Sequence, residues 1–450
     1  MAESLKAGTA ELVITPLLGS SLQGHLHDRK AVDVHDDLYA KALVLDDGAC
    51  PVALVLLDVI CITEKDVASI RALVAEHTHI PAQNVLVACT HTHTGPAMLT
   101  MAGIQHDPKY IDWLVRKAAD TVRIAVKRLQ PVRVGTGIGH EDGLSFCRRF
   151  RMADGTVRFN PGRGNPDIIE PTSPIDPDVG VLYVETFDGT PLAAAVNFCL
   201  HYVGTDDPLA FSADYFGHFA AVMRRLKGPQ FAALLFNGAQ GQINNVDVND
   251  PHQPSGHKQA RRVAETLAGE VMRVIGKMKL SSDVALGAAV APVTLRRKTV
   301  TDRDLEIARQ ILAGGGQEHK APFSWVVGQP IPPALRAVYA AECLAVAQMP
   351  PQLQTEMQTI RVGDTALVTL PGEAFVEIGL QIKARSRAPK TFVIGLANGF
   401  VGYVPTDKAL KEEGGYETWT SRWSLPDVGS EGILVETAQG LIEKLFPAGA

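Results

Sequence analysis

Residues 52–60 read VALVLLDVI, and residues 85–98 read VLVACTHTHTGPAM. Each opens with an unbroken apolar run of strand length, the composition of a strand buried on both faces. Between them Thr63, with Asp66 three residues on, marks a helix start, and the helical pattern lasts to about Glu76. Strand, helix, strand is a βαβ unit, so the two strands should be parallel and joined by a right-handed crossover. In open α/β sheets ligands bind beyond the carboxyl ends of the strands. Asp58 follows the first run, and His91 and His93 follow the second. Alternation along a continuing strand would turn both imidazoles to one face. That suits a metal or a proton-transfer site; a half-buried, hydrogen-bonded histidine pair is the plainer alternative.

The same arrangement recurs downstream. Residues 179–186 and 193–200 read as two strands around the turn Asp188-Gly189, and the second exits into His201. FAALLF at 231–236 exits into NGAQGQINN, TALVTL at 365–370 into Pro371-Gly372-Glu373, and TFVIGL at 391–396 into ANGFVGYVP. The expected fold is therefore α/β: a large mixed sheet with βαβ units and flanking helices, its site at strand carboxyl ends. Residues 301–358 read as a helical insertion covering one side of the sheet, interrupted by Gly314-Gly315-Gly316 and a Pro-rich stretch at 329–333. Residues 160–178 read as a long loop. Apolar strands resume after 358, so residues 1–450 are expected to form a single domain.

Composition narrows the function. A chain of 450 residues that is 46% hydrophobic can bury a large core. The net charge of -6, with no long Lys/Arg run, argues against nucleic acid. No window reaches the roughly 20 apolar residues of a membrane span, and the amino terminus lacks a signal-peptide pattern, so a cytoplasmic protein is expected. The six cysteines show no C-x-x-C spacing and read as reduced core residues. A homo-oligomer is left open.

Five segments together resemble the neutral ceramidase family. ACTHTHTGP resembles its T-H-T-H-S-G-P segment; NFCLHYVG with FSADYFG resembles its second histidine and S-G-D region; LPGEAF resembles P-G-E; GLANGFVGYVPT resembles G-L-x-N-x-Y-x-x-Y-x-T; and KAGTAELVITP resembles its opening. The resemblance implies a zinc ion held by His91, His201, Glu373 and Tyr403, with Tyr416 as the rival to Tyr403. Imidazole and carboxylate are ordinary zinc ligands, whereas a phenol, with a pKa near 10, would need the ion to stabilise its phenolate. Two departures stand out. Where the family carries a serine in G-D-V-S-P-N, this chain reads Gly241-Gln242-Ile243-Asn244-Asn245. The chain also stops soon after the last motif, so the family's C-terminal immunoglobulin-like domain is expected to be missing.

The reading that follows is zinc-dependent hydrolysis of an amide (C–N) bond in a small molecule less lipid-like than ceramide, since a zinc ion removes the need for a serine nucleophile. His93 is the candidate general base. Asp214 is a candidate for orienting a histidine, or else a helix cap. Asn244 and neighbouring backbone N–H groups are candidates for the oxyanion. Arg148, Arg149 and Gly241 are candidates for holding substrate, with a surface charged hairpin as the ordinary reading of the arginines. His25, His27 and His35 form a separate cluster that could be a second metal site. A zinc esterase or lactonase, a carbohydrate-active hydrolase using Asp58, Asp214 and Glu373, and a non-enzymatic binding protein are the rival functions.

Overall fold

The computed structural model describes residues 5–314 and 322–448. Eight strands form the larger sheet: β1 (Lys6–Val13), β2 (Tyr39–Asp46), β3 (Val52–Leu57), β4 (Val85–Cys89), β5 (Gln130–His140), β6 (Asp178–Thr186), β7 (Pro191–Phe198) and β8 (Ala232–Asn237). Their spatial order is β8-β7-β6-β5-β1-β2-β3-β4. A second sheet holds β9 (Leu286–Arg296), β10 (Gln352–Val362), β11 (Thr365–Thr369) and β12 (Lys390–Ile394) in that order. The helices are α1 (Glu64–His77), α2 (Pro108–Lys127), α3 (Asp214–Lys227), α4 (Gly256–Ile275), α5 (Asp302–Ala313), α6 (Arg336–Ala347), α7 (Val376–Arg385) and α8 (Ser430–Leu445).

Side-chain alternation explains the layering. In β3, Ala53, Val55 and Leu57 face α1 and α2, while Val52, Leu54 and Leu56 face the second sheet. Both faces are dry, which is why the sequence shows continuous apolar runs rather than alternation. The same central layer takes Ile360, Val362, Leu367, Phe392 and Ile394 from the second sheet. Helices α3 and α4 cover the β6–β8 end of the larger sheet, and α7 and α8 cover the outer face of the smaller one. The result is four layers: helices, sheet, sheet, helices.

Only three pairs among these strands are parallel: β3 with β4, β7 with β8, and β11 with β12. Each is bridged by a helix, α1, α3 and α7 respectively. The three βαβ units bring six strand carboxyl ends toward one region. Buried amides fasten those ends together. Asn197 Nδ2 donates to Val393 O across the two sheets (2.9 Å), Asn237 Nδ2 donates to Thr90 O (3.1 Å), and Asn398 Oδ1 accepts from Val87 N (3.0 Å).

The expected βαβ unit at 52–90, the hairpin around Asp188-Gly189 and the downstream strands are present. Four local expectations change. The strands after residue 285 form a second, stacked sheet instead of extending the first. Residues 352–358 belong to β10, because that segment is an edge-to-edge partner of β9 over its whole length. The remaining helical segment, α5 and α6, packs on Met101, Tyr403, Trp419 and Trp423 instead of a sheet face; Gly315 and Gly316 lie outside the described residues. Within 160–178, residues Ile168–Pro171 pair with Arg149–Met152 in a small three-stranded sheet with Val157–Phe159. Five of the six cysteines are buried and all are free thiols.

Gly180 on β6 tests the stacking. A Cβ there would lie 2.6 Å from the Phe392 ring of the opposing sheet, and Phe392 is buried. Gly180→Ala should therefore destabilise the fold by about 1–3 kcal/mol, read from the denaturant midpoint. An unchanged midpoint contradicts close contact between the sheets at this point.

Candidate functional site

The site is assembled where those strand ends meet. After β4 the chain does not continue extended: His91 has φ +69, a left-handed conformation costly for a residue with a Cβ. The turn, rather than strand alternation, swings its ring inward. His91 N–H donates to Val59 O (3.0 Å), and Nδ1 lies 2.7 Å from Ile60 O. A carbonyl can only accept, so Nδ1 carries the proton and Nε2 presents a lone pair. His201, three residues beyond β7, places Nδ1 3.3 Å from Gln240 O and 3.4 Å from Arg148 Nη1; with the proton on Nδ1 donated to the nearer carbonyl, Nε2 is the acceptor. Glu373 follows β11 after the turn Pro371-Gly372, and its Oε2 has no hydrogen-bond partner among the described residues.

These three atoms converge. His91 Nε2 and His201 Nε2 are 3.0 Å apart, and Glu373 Oε2 is 3.2 Å from the first and 3.5 Å from the second. All three residues are nearly inaccessible to solvent. Ligand atoms about 2.0–2.1 Å from a tetrahedral zinc are about 3.3–3.4 Å from one another. The observed triangle fits that separation, and its buried lone pairs lack a donor, so the residues fit a zinc ion.

Tyr403 sits beside Glu373 because the two residues are paired in a short parallel ladder, Glu373–Ala374 with Tyr403–Val404. Its hydroxyl accepts from Arg148 Nη2 at 3.0 Å. Burial pushes the phenol's pKa well up, with Arg148 opposing. Arg148 also donates to Gly241 O (2.7 Å) and to Glu417 Oε1 (2.8 Å). Burial alone would raise the Glu417 pKa, but Arg148 and Arg149 hold it below the ordinary carboxylate value. His93 completes the cluster, its ring 4.8 Å from that of His91 and stacked on Tyr202 at 3.7 Å. Both of its ring nitrogens are buried without partners. Burial, then the neighbouring His91, drives its pKa well below the usual histidine value; burial, then Arg148, does the same for His201.

A cavity of about 490 Å³ opens onto this cluster. Its floor is His91, His93, Glu373 and Tyr403, and its walls include Leu26, Ile60, Met101, Ile104, Phe400 and Trp423. His25, Cys61 and Tyr416 also line it. Helix α6 fixes one wall through Glu342, which accepts from Arg422 and from Ala102 N.

Several candidate residues do other work. Arg149 is buried and committed to Glu413 and Glu417, so it cannot grip a substrate; Arg148 borders the site but is likewise fully engaged. The hairpin after them exists, yet neither arginine is on the surface. Gly241 donates its N–H to Ala374 O, and a Cβ would meet Glu373 O at 2.4 Å, so it permits close approach of two loops and offers substrate nothing. Asn244 spends its amide on Asn160 Oδ1 and Val246 N, outside the cavity, which removes it as an oxyanion donor. Asp214 contacts no histidine; it accepts from Val203, Gly204 and Tyr215 N–H groups, fixing the loop after His201 to the start of α3. Asp58 pairs with buried Lys41. His35 lies apart from His25 and His27 and joins His218 and His257. Glu417 and Tyr202 were not anticipated. Glu417 adjoins Tyr416 in the acidic, Gly-rich KEEGGYE, where nothing in the sequence sets it apart from Glu412 and Glu413.

Fold and site together define an α/β protein with a buried candidate metal centre at the ends of three βαβ units. No known family model matches the chain. The neutral ceramidase of Pseudomonas aeruginosa is 26% identical over 181 residues, which is 38% of this chain and only 26% of that protein's length. The crystal structure of neutral ceramidase from Pseudomonas aeruginosa superposes with a TM-score of 0.71 over 98% of this chain and 74% of that chain, at 19% identity. A structure of ceramidase complexed with C2 gives 0.71 with the same coverage, at 18% identity. The resemblance read from the sequence motifs thus extends through the fold.

Acid should unfold the metal-free chain early. His93 and His201 keep folded-state pKa values well below 6.5, so below about pH 6.5 the unfolded chain takes up protons that the folded chain does not. Stability present at pH 7 is then lost as pH falls toward the folded values. Denaturation midpoints of chelator-treated protein should fall between about pH 7 and pH 5, and His93→Asn should flatten that slope. Equal slopes would contradict the burial of a neutral His93.

Proposed function

We propose that this chain is a zinc-dependent hydrolase of an amide bond, acting on a small acyl-amide. The observation that carries the reading is the convergence of His91 Nε2, His201 Nε2 and Glu373 Oε2 with no donor between them. Similarity to neutral ceramidase supports the reaction class. Bound there, zinc would polarise a substrate carbonyl and make water nucleophilic near neutral pH.

The remaining work falls to the chain's own residues. His93, neutral and with free ring nitrogens, takes a proton from the attacking water and returns one to the leaving nitrogen. Arg148 holds the Tyr403 hydroxyl at the cavity floor, where that O–H donates to the oxygen that gains charge. Cys61 is no nucleophile, because burial holds its thiol well above the usual pKa. Among the described residues no serine lines the cavity, which leaves water as the nucleophile. The apolar walls hold the acyl group and exclude bulk water.

A zinc esterase would use the same groups and is separated by assay alone. A carbohydrate hydrolase needs paired carboxylates in the cavity, and Glu373 is the sole carboxylate among its described lining residues.

His91→Ala and His201→Ala should each lose one zinc per chain and at least about 100-fold in turnover on an acyl-amide panel, as should Glu373→Gln. Full zinc content and turnover in these variants would end the proposal. Tyr403→Phe deletes one hydrogen bond, worth about 1 kcal/mol, so melting temperature should hold while turnover falls more than about 10-fold. Wild-type turnover would remove Tyr403 from the reaction and point to Tyr416. Efficient hydrolysis of long-chain ceramides would overturn the substrate assignment.

A further inference from the structure

Away from the cavity, three imidazoles from three separate segments meet. His35 follows the short strand Asp33–Val34, which pairs in parallel with Ala210–Phe211, and His35 N–H donates to Phe211 O at 2.9 Å. His218 lies in the early turns of α3, and His257 is the second residue of α4, whose N-cap Ser255 makes no side-chain cap bond. His218 Nε2 and His257 Nδ1 are 3.2 Å apart. The His35 ring stacks on His257 at 3.5 Å. One nitrogen from each of the three lies within 4.8 Å of the others. The other ring nitrogen of His257, Nε2, is buried without a partner among the described residues.

We infer that His35, His218 and His257 form a second metal site, for a divalent d-block ion such as zinc, independent of the cavity. Three neutral imidazoles without a coordinating carboxylate select zinc, nickel, cobalt or copper over magnesium or calcium. The 3.2 Å separation already matches neighbouring ligands on a tetrahedral ion, which lie about 3.3–3.4 Å apart. His35 is exposed, so its ring can leave the face of His257 and direct a nitrogen to the ion without displacing other side chains. The carboxylates beside the cluster are engaged elsewhere: Asp206 Oδ2 accepts from His257 N (3.0 Å), and Asp36 accepts from Ser212 Oγ (2.6 Å) and Ala213 N (2.9 Å).

That commitment gives the ion its purpose. Ser212 O accepts from the hydroxyls of Thr92 (2.6 Å) and Thr94 (3.1 Å), the residues that alternate with His91 and His93. An ion on His35, His218 and His257 clamps the 33–36 segment to α3 and α4, and Asp36 in turn holds the turn behind the cavity cluster. The site is a brace, and no step of the reaction passes through it.

The test uses the full chain with His91→Gln and His201→Gln combined, so that zinc at the cavity does not count. After chelator treatment and zinc reloading, elemental analysis should find one zinc per chain, and zinc should raise the melting temperature by several degrees. Adding His35→Gln, an exposed position that leaves the core untouched, should remove both the zinc and the shift. Retention of zinc after His35→Gln and His257→Gln together, or no zinc in the starting variant, overturns the inference. Should the starting variant not fold, the otherwise native chain carrying His35→Gln should hold one zinc fewer than the native chain; equal content overturns it.

Discussion

Three unshared lone pairs pointing at one another inside a dry protein are the constraint to which the rest of the site answers. His91 Nε2, His201 Nε2 and Glu373 Oε2 lie 3.0–3.5 Å apart, on residues that are nearly inaccessible to solvent. Burying polar atoms without partners costs about 1–3 kcal/mol apiece, more when one carries charge. A cation held there would offset that cost. The Ile60 carbonyl holds the His91 ring in the tautomer that keeps its lone pair inward, and the Gln240 carbonyl faces Nδ1 of His201. Arg148 and Glu417 form a buried ion pair behind them, and it is this pair that leaves Arg148 facing Tyr403.

The fold makes this convergence possible by repetition of one device. Three helix-bridged parallel strand pairs, at the two ends of the larger sheet and at one end of the smaller, deliver six carboxyl ends to one region. Two of them contribute turns with unusual backbone: His91 after β4, and Leu396 and Asn398 after β12, have φ of +69, +53 and +62. Such turns are expensive, and buried amides over-determine them: Asn197 and Asn398 bond across the two sheets, and Asn237 ties β8 to the turn after β4. The apolar walls come from the loops after β3, β4 and β12 together with Leu26 and Trp423, and α5 and α6 pack behind Met101 and Trp423.

Much of this was legible in the sequence for a physical reason. A strand buried on both faces must be continuously apolar, so VALVLLDVI and VLVAC announce themselves, and polar residues directly after such runs mark the ligand-facing end. His91, His201 and Glu373 were found that way and through their motifs. The second sheet was hidden, because TALVTL and TFVIGL look alike whether they extend one sheet or start another. Arg148 and Arg149 read as a surface hairpin because their partners, Glu413 and Glu417, lie more than 260 residues away. His35 was grouped with His25 and His27 by proximity along the chain, whereas its neighbours in space come from α3 and α4. Asn244 and Gly241 were drawn toward the site by the family pattern, yet their hydrogen bonds are spent on the backbone and on Asn160.

Diffraction from crystals of the zinc-loaded protein, recorded on both sides of the zinc absorption edge, tests the central claim most directly. The account predicts an anomalous peak about 2.0–2.2 Å from His91 Nε2, His201 Nε2 and Glu373 Oε2, present above the edge and absent below it. A flat anomalous map there, with a water molecule or Arg148 hydrogen-bonding the three atoms instead, would contradict it.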